Sequence, residues 1–282
     1  MAFNQKQLIQ ALQNGQEAQQ NKILSPLNLH IFDSVGSTNQ MIWDLIEQGS
    51  PAETVVIAEQ QTAGRGQWGR QWISQFGGLY LSIAIAPNIT ATNAPHLTLS
   101  SAWGITAALR DRHIPVLIKW PNDLILTNRK LGGILTETRV RDGKIAKAVI
   151  GIGINWTNPV PPTGINLQTF QQENLHLEPI TSIENLAAIA LKGILTGYQY
   201  LQNQGIEKLL TSYQKLLSNI GSFIEVDGNK GEIIGVNKAG ELRVKFYPKT
   251  PITENNYINT SAWENSYSPG TISLGYELRN KN

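Results

Sequence analysis

The stretch from residue 116 to residue 154 constrains the fold more than any other part of the chain. Short β-branched and aliphatic runs follow one another there, separated by turn signals too brief to hold a helix. Residues 116–120 (VLIKW) are broken by Pro121-Asn122-Asp123. Residues 124–126 turn at Asn128-Arg129 into 130–136, and Asp142-Gly143 leads into 144–154. Asp-Gly between apolar runs is a hairpin signal, because both residues accept the positive φ of a tight turn. Strands joined this way must be antiparallel, since a parallel neighbour requires a long crossover. The stretch therefore predicts an α+β fold built on a mixed or antiparallel sheet, not a doubly wound parallel one.

The flanking sequence supplies the helices and further strands. Residues 31–32, 54–58 (TVVIA) and 79–86 (LYLSIAIA) read as strands. Ser37-Thr38-Asn39-Gln40 fits a capping box before a helix with Ile42, Leu45 and Ile46 inward, stopped by Gly49-Ser50-Pro51. Pro95 suits the first turn of a helix reaching Arg112, with Ala102, Trp103, Thr106 and Leu109 along one side. A second capping box at 181–184 opens a helix striped by Leu186, Ala190, Ile194 and Leu201. A further helical stripe runs from Ile206 to Leu217. Beyond Gly221 the texture changes to short strands at 222–226, 231–236, 241–246 and 270–276, which predict a small β-barrel. Residues 247–268 lack periodicity and read as a long surface loop. Residues 5–13 predict a short amphipathic helix with Leu8, Ile9 and Leu12 on one stripe, ended by Gly15. A chain of 282 residues suits a large domain plus a small one. The expected division is 1–28 as an N-terminal extension, 29–220 as the main domain and 221–282 as the barrel.

Composition excludes several functions. There are no cysteines, which removes disulfides, thiol catalysis and cysteine zinc sites. The four histidines show no ligand spacing, so no structural metal site is expected. With 23 basic and 21 acidic side chains the net charge is +2, which argues against a surface dedicated to nucleic acid or membrane. The N-terminus is Gln-rich and lacks the basic start and apolar stretch of a signal peptide. No run approaches the roughly 18 apolar residues of a membrane span. A cytoplasmic protein is expected.

Five short motifs could carry chemistry. Residues 64–72 read GRGQWGRQW. Three glycines let backbone N–H groups approach a ligand, and two arginines offer forked donors suited to phosphate or carboxylate. A solvated loop with incidental arginines is the plainer reading, and Trp68 and Trp72 weigh against it. Lys119-Trp120-Pro121-Asn122-Asp123 groups a cation, an amide and a carboxylate at a strand end, where Asp123 could hold a magnesium ion or a ribose hydroxyl, or is an ordinary Pro-Asn-Asp turn. In Lys130-Leu131-Gly132-Gly133-Ile134-Leu135 a glycine pair inside an apolar strand marks close approach of a ligand or of backbone. Gly151-Ile152-Gly153-Ile154-Asn155 leaves one strand face bare, for a flat ligand or for tight packing against a helix. Ser37-Thr38-Asn39 is a helix cap, which is also friendly to anions.

Taken in order, Ser-Thr-Asn, GRGxxGRxW, KWPND, KLGGIL and GxGIN resemble the biotin protein ligases. The likeness is specific over residues 29–155 and continues more weakly to the GTISL stretch at 270–274. That resemblance implies a class II synthetase-like catalytic domain followed by an SH3-like barrel. It implies condensation of biotin with ATP to biotinyl-5′-adenylate and pyrophosphate, then transfer of biotin to a lysine of a biotin carboxyl carrier protein. Biotin and ATP are then substrates, with Mg2+ accompanying the nucleotide and no protein metal site.

By the same resemblance Ser37, Thr38, Asn39, Gln61, Gly64, Arg65, Lys130 and Gly133 line the biotin site. Arg65, Gln67, Trp72, Lys119, Asn122, Asp123 and Asn155 belong to the nucleotide side. Lys130, Arg65 and Asp123 are the catalytic candidates, Asp123 as an aid in deprotonating an acceptor lysine whose free pKa is about 10.4. The carrier of acetyl-CoA carboxylase is the implied partner, with no nucleic acid, no membrane, and a monomer or weak homodimer. Two features depart from the family pattern. The loop often reads GRGRxGR, whereas position 67 here is glutamine, which predicts leakage of the adenylate. Only a short segment precedes the likeness, where bifunctional relatives carry a winged-helix domain, so a monofunctional enzyme is expected. Lipoate or octanoate transfer, a DNA-binding regulator and a non-catalytic carrier scaffold are the rival readings.

Overall fold

The structure is a computed structural model that describes residues 3–13, 27–175, 179–247 and 262–275. Its centre is a seven-stranded sheet in the order β1-β2-β3-β7-β6-β5-β4. The strands are β1 (Asn28–Val35), β2 (Thr54–Gln61), β3 (Leu79–Ile85), β4 (Leu117–Lys119), β5 (Asp123–Leu126), β6 (Arg129–Arg141) and β7 (Lys144–Ile154). β1 runs parallel to β2, because α2 (Thr38–Glu47) carries the chain back between them. The other pairs are antiparallel. The sheet is thus mixed, and its antiparallel β4–β7 part is the one the tight turns predict. At the β6–β7 turn Asp142 has φ 51° and Gly143 φ 72°, the conformation that makes Asp-Gly a hairpin signal.

Each face of the sheet is covered by helix. Ile42, Trp43 and Ile46 of α2 bury against Val56, Ala84 and Val149. On the other face lie α3 (Ala94–Arg110) and α5 (Ile183–Gln214), packed on each other and on the apolar side of β3, β6 and β7. α5 is interrupted at Gly205, φ 78° and ψ 173°, so the two predicted stripes are two helical stretches meeting at that residue. α1 (Gln5–Gln13) lies against α5 with Leu8 and Leu12 buried, whereas Ile9 of the expected stripe is exposed. Gly15 and the rest of 14–26 lie outside the described residues. α4 (Leu167–Glu173) follows the stretch holding Pro159, Pro161 and Pro162 and was not anticipated.

The caps differ from the boxes read in the sequence. Ser37 occupies the N-cap position of α2 without a side-chain cap bond, and Gln40 turns to Asp44 instead. Ser182, not Thr181, caps α5, its hydroxyl accepting from Asn185 N–H. Glu184 accepts from the backbone N–H of Asn4 and so ties the N-terminal helix down.

The C-terminal region is a four-stranded antiparallel sheet in the order β11-β10-β9-β8. Its strands are β8 (Phe223–Val226), β9 (Asn229–Val236), β10 (Leu242–Phe246) and β11 (Trp263–Tyr267). The expected fourth strand at 270–276 is not one. Residues 270–275 have no strand structure, Tyr276 lies outside the described residues, and β11 falls within the stretch read as loop. Residues 248–261 of that stretch also lie outside the described residues. The small sheet shares the main core through Ile233, Val236, Leu242, Val244 and Phe246. Trp120 Nε1 donates to Gly240 O at 3.0 Å, and Tyr213 Oη donates to Pro121 O at 3.0 Å. The first bond ties the β4–β5 turn to the small sheet and the second ties it to α5.

Candidate functional site

Register brings the motifs together. Lys119 pairs with Asp123, Asp123 with Gly133, and Gly133 with Gly153 across β4, β5, β6 and β7. One row of the sheet therefore carries a cation, a carboxylate and two bare positions. The next row on that face holds Ser82, Gly151 and Leu135. Over these rows opens a cavity of about 480 Å³. Its walls are the start of α2 (Ser37, Thr38, Asn39), the end of β2 (Gln61), the loop from Arg65 to Trp72, the turn from Lys119 to Asp123, and Lys130. Residues 270–275 form the remaining wall.

Neutral hydrogen bonds fix one end. Gln61 Oε1 accepts from Thr38 N–H at 2.8 Å and from Thr38 Oγ1 at 3.2 Å, while Gln61 Nε2 donates to Ser74 Oγ at 2.7 Å. Buried Ser82 lies 2.7 Å from Thr38 Oγ1 and 2.6 Å from Asn39 Oδ1. Asn39 Nδ2 donates to Glu137 Oε2 at 2.8 Å, and Arg65 pairs with the same oxygen at 3.1 Å. Glu137 and Ser82 were missed in the sequence. Glu137 looks like an ordinary strand carboxylate, and its role appears only when Asn39 and Arg65 arrive from elsewhere.

Charge gathers at the other end. Lys130 Nζ lies 2.7 Å from Asp123 Oδ1 and 5.4 Å from the centre of the Trp72 ring. Lys119 is buried and donates to Gly275 O at 2.9 Å. Burial lowers its ammonium from the usual 10.5 to about 8, Asp123 opposing that shift and Lys130 and Arg70 adding to it. The Trp120–Pro121 peptide is cis, and Asn122 Nδ2 donates to Ile134 O at 2.7 Å. The Trp72 indole N–H is buried with no hydrogen-bond partner among the described residues.

The loop at 64–72 is a small hairpin. Gly66 N–H donates to Arg70 O at 2.7 Å and Trp72 N–H to Gly64 O at 2.9 Å, with Trp68 and Gly69 at positive φ in the turn. Arg65, Gln67, Arg70 and Trp72 face the cavity. Two expected site residues do not. A Cβ on Gly64 would collide with Ser74 Oγ and Trp72 O, so that glycine serves packing inside the hairpin. Asn155 is buried behind the cavity, where its amide donates to Lys130 O and Ile165 O, each at 3.3 Å, and its Oδ1 accepts from Asn158. It holds the main chain of Lys130 and does not line the pocket. The bare face of β7 is also filled from within the protein, Gly151 by Asn39 and Gly153 by Trp72.

Among the described residues no three histidine or carboxylate groups gather to hold an ion, and Asp123 is already paired with Lys130. No helix among them is long and apolar enough to cross a membrane. The arrangement suits a substrate with anionic and flat parts, gripped by two lysines and two arginines and held at its far end by neutral hydrogen bonds.

Residues 31–155 match the Biotin/lipoate A/B protein ligase family. The chain is 32% identical over 243 residues to the bifunctional ligase/repressor BirA of Escherichia coli, covering 84% of this chain and 70% of that protein. To the BirA of Bacillus subtilis it is 38% identical over 130 residues, covering 45% of this chain and 40% of that relative's length. The chain thus spans well under half of the Bacillus protein. The structure of a biotin protein ligase from Aquifex aeolicus in complex with biotin and ATP overlays it with a TM-score of 0.64. That overlay covers 77% of this chain and 91% of the other at 24% identity, a likeness of fold.

Proposed function

The chain belongs to the biotin/lipoate A/B protein ligase family, and on that premise we propose that it is an ATP-dependent biotin ligase. The observation that carries the reading is a cavity with two characters. It joins a hydrogen-bonded end at Thr38, Asn39 and Gln61, to which Glu137 ties Arg65, to a cationic end at Lys119, Lys130 and Arg70. A fused bicyclic urea with a carboxylate tail and a nucleoside triphosphate have those two characters. In the proposed first step a biotin carboxylate oxygen bonds to the α-phosphorus of ATP and pyrophosphate leaves. In the second, a lysine amine of a carrier domain bonds to the acyl carbon, AMP leaves and the amine gives up a proton.

The protein's part in the first step is to bring two anions together, so positioning and charge neutralisation dominate. Lys130, paired with Asp123 beside the Trp72 ring, is the residue proposed to stabilise charge at the reacting phosphate. Arg65, anchored by Glu137, is proposed to close over the acyl–phosphate junction. Asp123 orients Lys130, and Trp72 offers a ring face to the nucleotide. Magnesium is proposed to arrive with the triphosphate as part of that substrate, since among the described residues no three histidine or carboxylate groups gather to hold it. The acceptor proposed is the carrier protein of acetyl-CoA carboxylase, in the cytoplasm, with the enzyme a monomer or weak homodimer. Biotin-dependent ATP–pyrophosphate exchange, run beside octanoate and lipoate, tests the reading. Exchange with biotin alone is expected, and exchange with lipoate alone would replace biotin by the other substrate class of the family.

Lys119 gives this reading a pH signature. Above about 8 the buried ammonium loses its proton, and with it the charge proposed to draw in the triphosphate. The expected result is that kcat/KM for ATP falls as pH rises through about 8, and that Lys119→Gln removes this break. Unfolding does not account for the fall. The folded value lies below the unfolded 10.5, so the unfolded chain holds the proton longer, and this group adds stability as pH rises between the two. A profile that keeps its break in Lys119→Gln would assign the titration to another group.

A further inference from the structure

The cavity wall at 270–275 belongs to none of the strands, yet it closes one side of the site. Thr271 bonds back to Ser268 through both its N–H and its hydroxyl, and Lys119 holds the far end at Gly275 O. Ile272 and Leu274 turn partly into the core. Between the wall and the hairpin at 64–72 the join is made by Trp68. Its indole lies so close over Gly270 that a Cβ built there would come 2.6 Å from Trp68 Cε2. Gly270 has φ +92°, a conformation side chains rarely adopt, so glycine serves the turn and the approach together.

Trp68 is an unusual residue for its place. It sits at φ 60° and ψ 37°, the left-handed region that bulky side chains avoid. The residue is also 62% exposed, so no core burial explains a tryptophan there. What the conformation achieves is to carry the ring across the mouth of the cavity onto Gly270. The adjacent Gln67 lines the cavity without a charge, so this part of the hairpin holds the mouth by contact and not by attraction to an anion.

We propose that Trp68 is a positioning residue: it clasps the 270–275 wall to the hairpin and so retains the adenylate between the two reaction steps. The proposal rests on the ligase reading for what is retained, but the clasp itself is a property of the chain alone. Two measurements separate them. The first is amide hydrogen exchange on the full chain without substrates, comparing wild type, Trp68→Ala and Trp68→Phe. Trp68→Ala is expected to speed exchange at 270–275 by about ten-fold while β9 and β10 keep their protection, and Trp68→Phe to restore most of it. Unchanged exchange at 270–275 in Trp68→Ala overturns the clasp.

The second measurement follows biotin and ATP turnover in the same three proteins. Trp68→Ala is expected to raise the KM for ATP more than it lowers kcat, and to release biotinyl-adenylate about ten-fold faster, labelling an unrelated lysine-rich protein. Trp68→Phe should recover both. Adenylate escape and KM that match wild type in Trp68→Ala would overturn retention even where exchange supports the contact. A wild-type protein that makes no adenylate at all would instead remove the ligase reading, leaving the exchange result to judge the clasp.

Discussion

Replacing Lys130 by methionine is expected to lower biotin-dependent pyrophosphate exchange by roughly 10²–10³-fold, the usual cost of removing one preorganised electrostatic donor. The main chain there is fixed from both sides. Lys130 N–H donates to Thr163 O at 2.9 Å, and its carbonyl accepts from Ile165 N–H at 3.0 Å and from Asn155 Nδ2 at 3.3 Å. Removing the ammonium therefore should not move β6, and the loss should fall on kcat. It also strips Asp123 of its 2.7 Å partner, leaving a carboxylate to face anionic substrates. Part of the defect should thus be repulsion, and Lys130→Met combined with Asp123→Asn should recover some of it. Thermal stability should change little, because the pair is partly solvated, with 29% and 16% of the two side chains exposed. Exchange within a few-fold of wild type in Lys130→Met would remove this lysine from the chemistry.

Much of this is legible in the sequence, for physical reasons. Tight turns force antiparallel pairing, so residues 116–154 dictated half of the sheet, and Asp142-Gly143 marked its hairpin. Register then did what local sequence cannot. Lys119, Asp123, Gly133 and Gly153 share one row because four strands align, although the chain separates the first from the last by two turns and a hairpin. Ser82 sits inside an apolar run and reads as a tolerated small residue. Its meaning comes from Thr38 and Asn39, more than forty residues away in sequence.

The C-terminal strands failed for the opposite reason. β11 reads WENSY and has four of its five residues exposed, so no alternation betrays it. The stretch at 270–274 has β-forming residues but spends them on a cavity wall. Asn155 and Gly64 show the limit of reading a motif as a set of ligand contacts. Both stand in the expected pattern, and both act by holding neighbours in place.

Gly151 allows the sharpest test of that indirect organisation, and Gly151→Val is expected to weaken biotin binding by about ten- to a hundred-fold. Valine suits a strand, so the sheet should survive. The face it points to is taken, however, because a Cβ at 151 would collide with Asn39 Oδ1. That oxygen accepts from Ser82 at 2.6 Å, and the same side chain donates to Glu137 at 2.8 Å and to Leu135 O at 3.3 Å. Pushing Asn39 aside leaves Ser82 with Thr38 alone, and it frees the Glu137 carboxylate to hold Arg65 without its second partner. Overpacking of this kind costs about 1–3 kcal/mol, which corresponds to the stated loss if it falls on the binding-competent arrangement. Titration calorimetry with biotin measures the effect, and circular dichroism checks the fold. The route through Asn39 has its own signature: Gly151→Val added to Asn39→Ala should cost little beyond Asn39→Ala alone, since the side chain it displaces is already gone. Additive losses in that cycle would mean that valine acts by filling the cavity floor and not by moving Asn39.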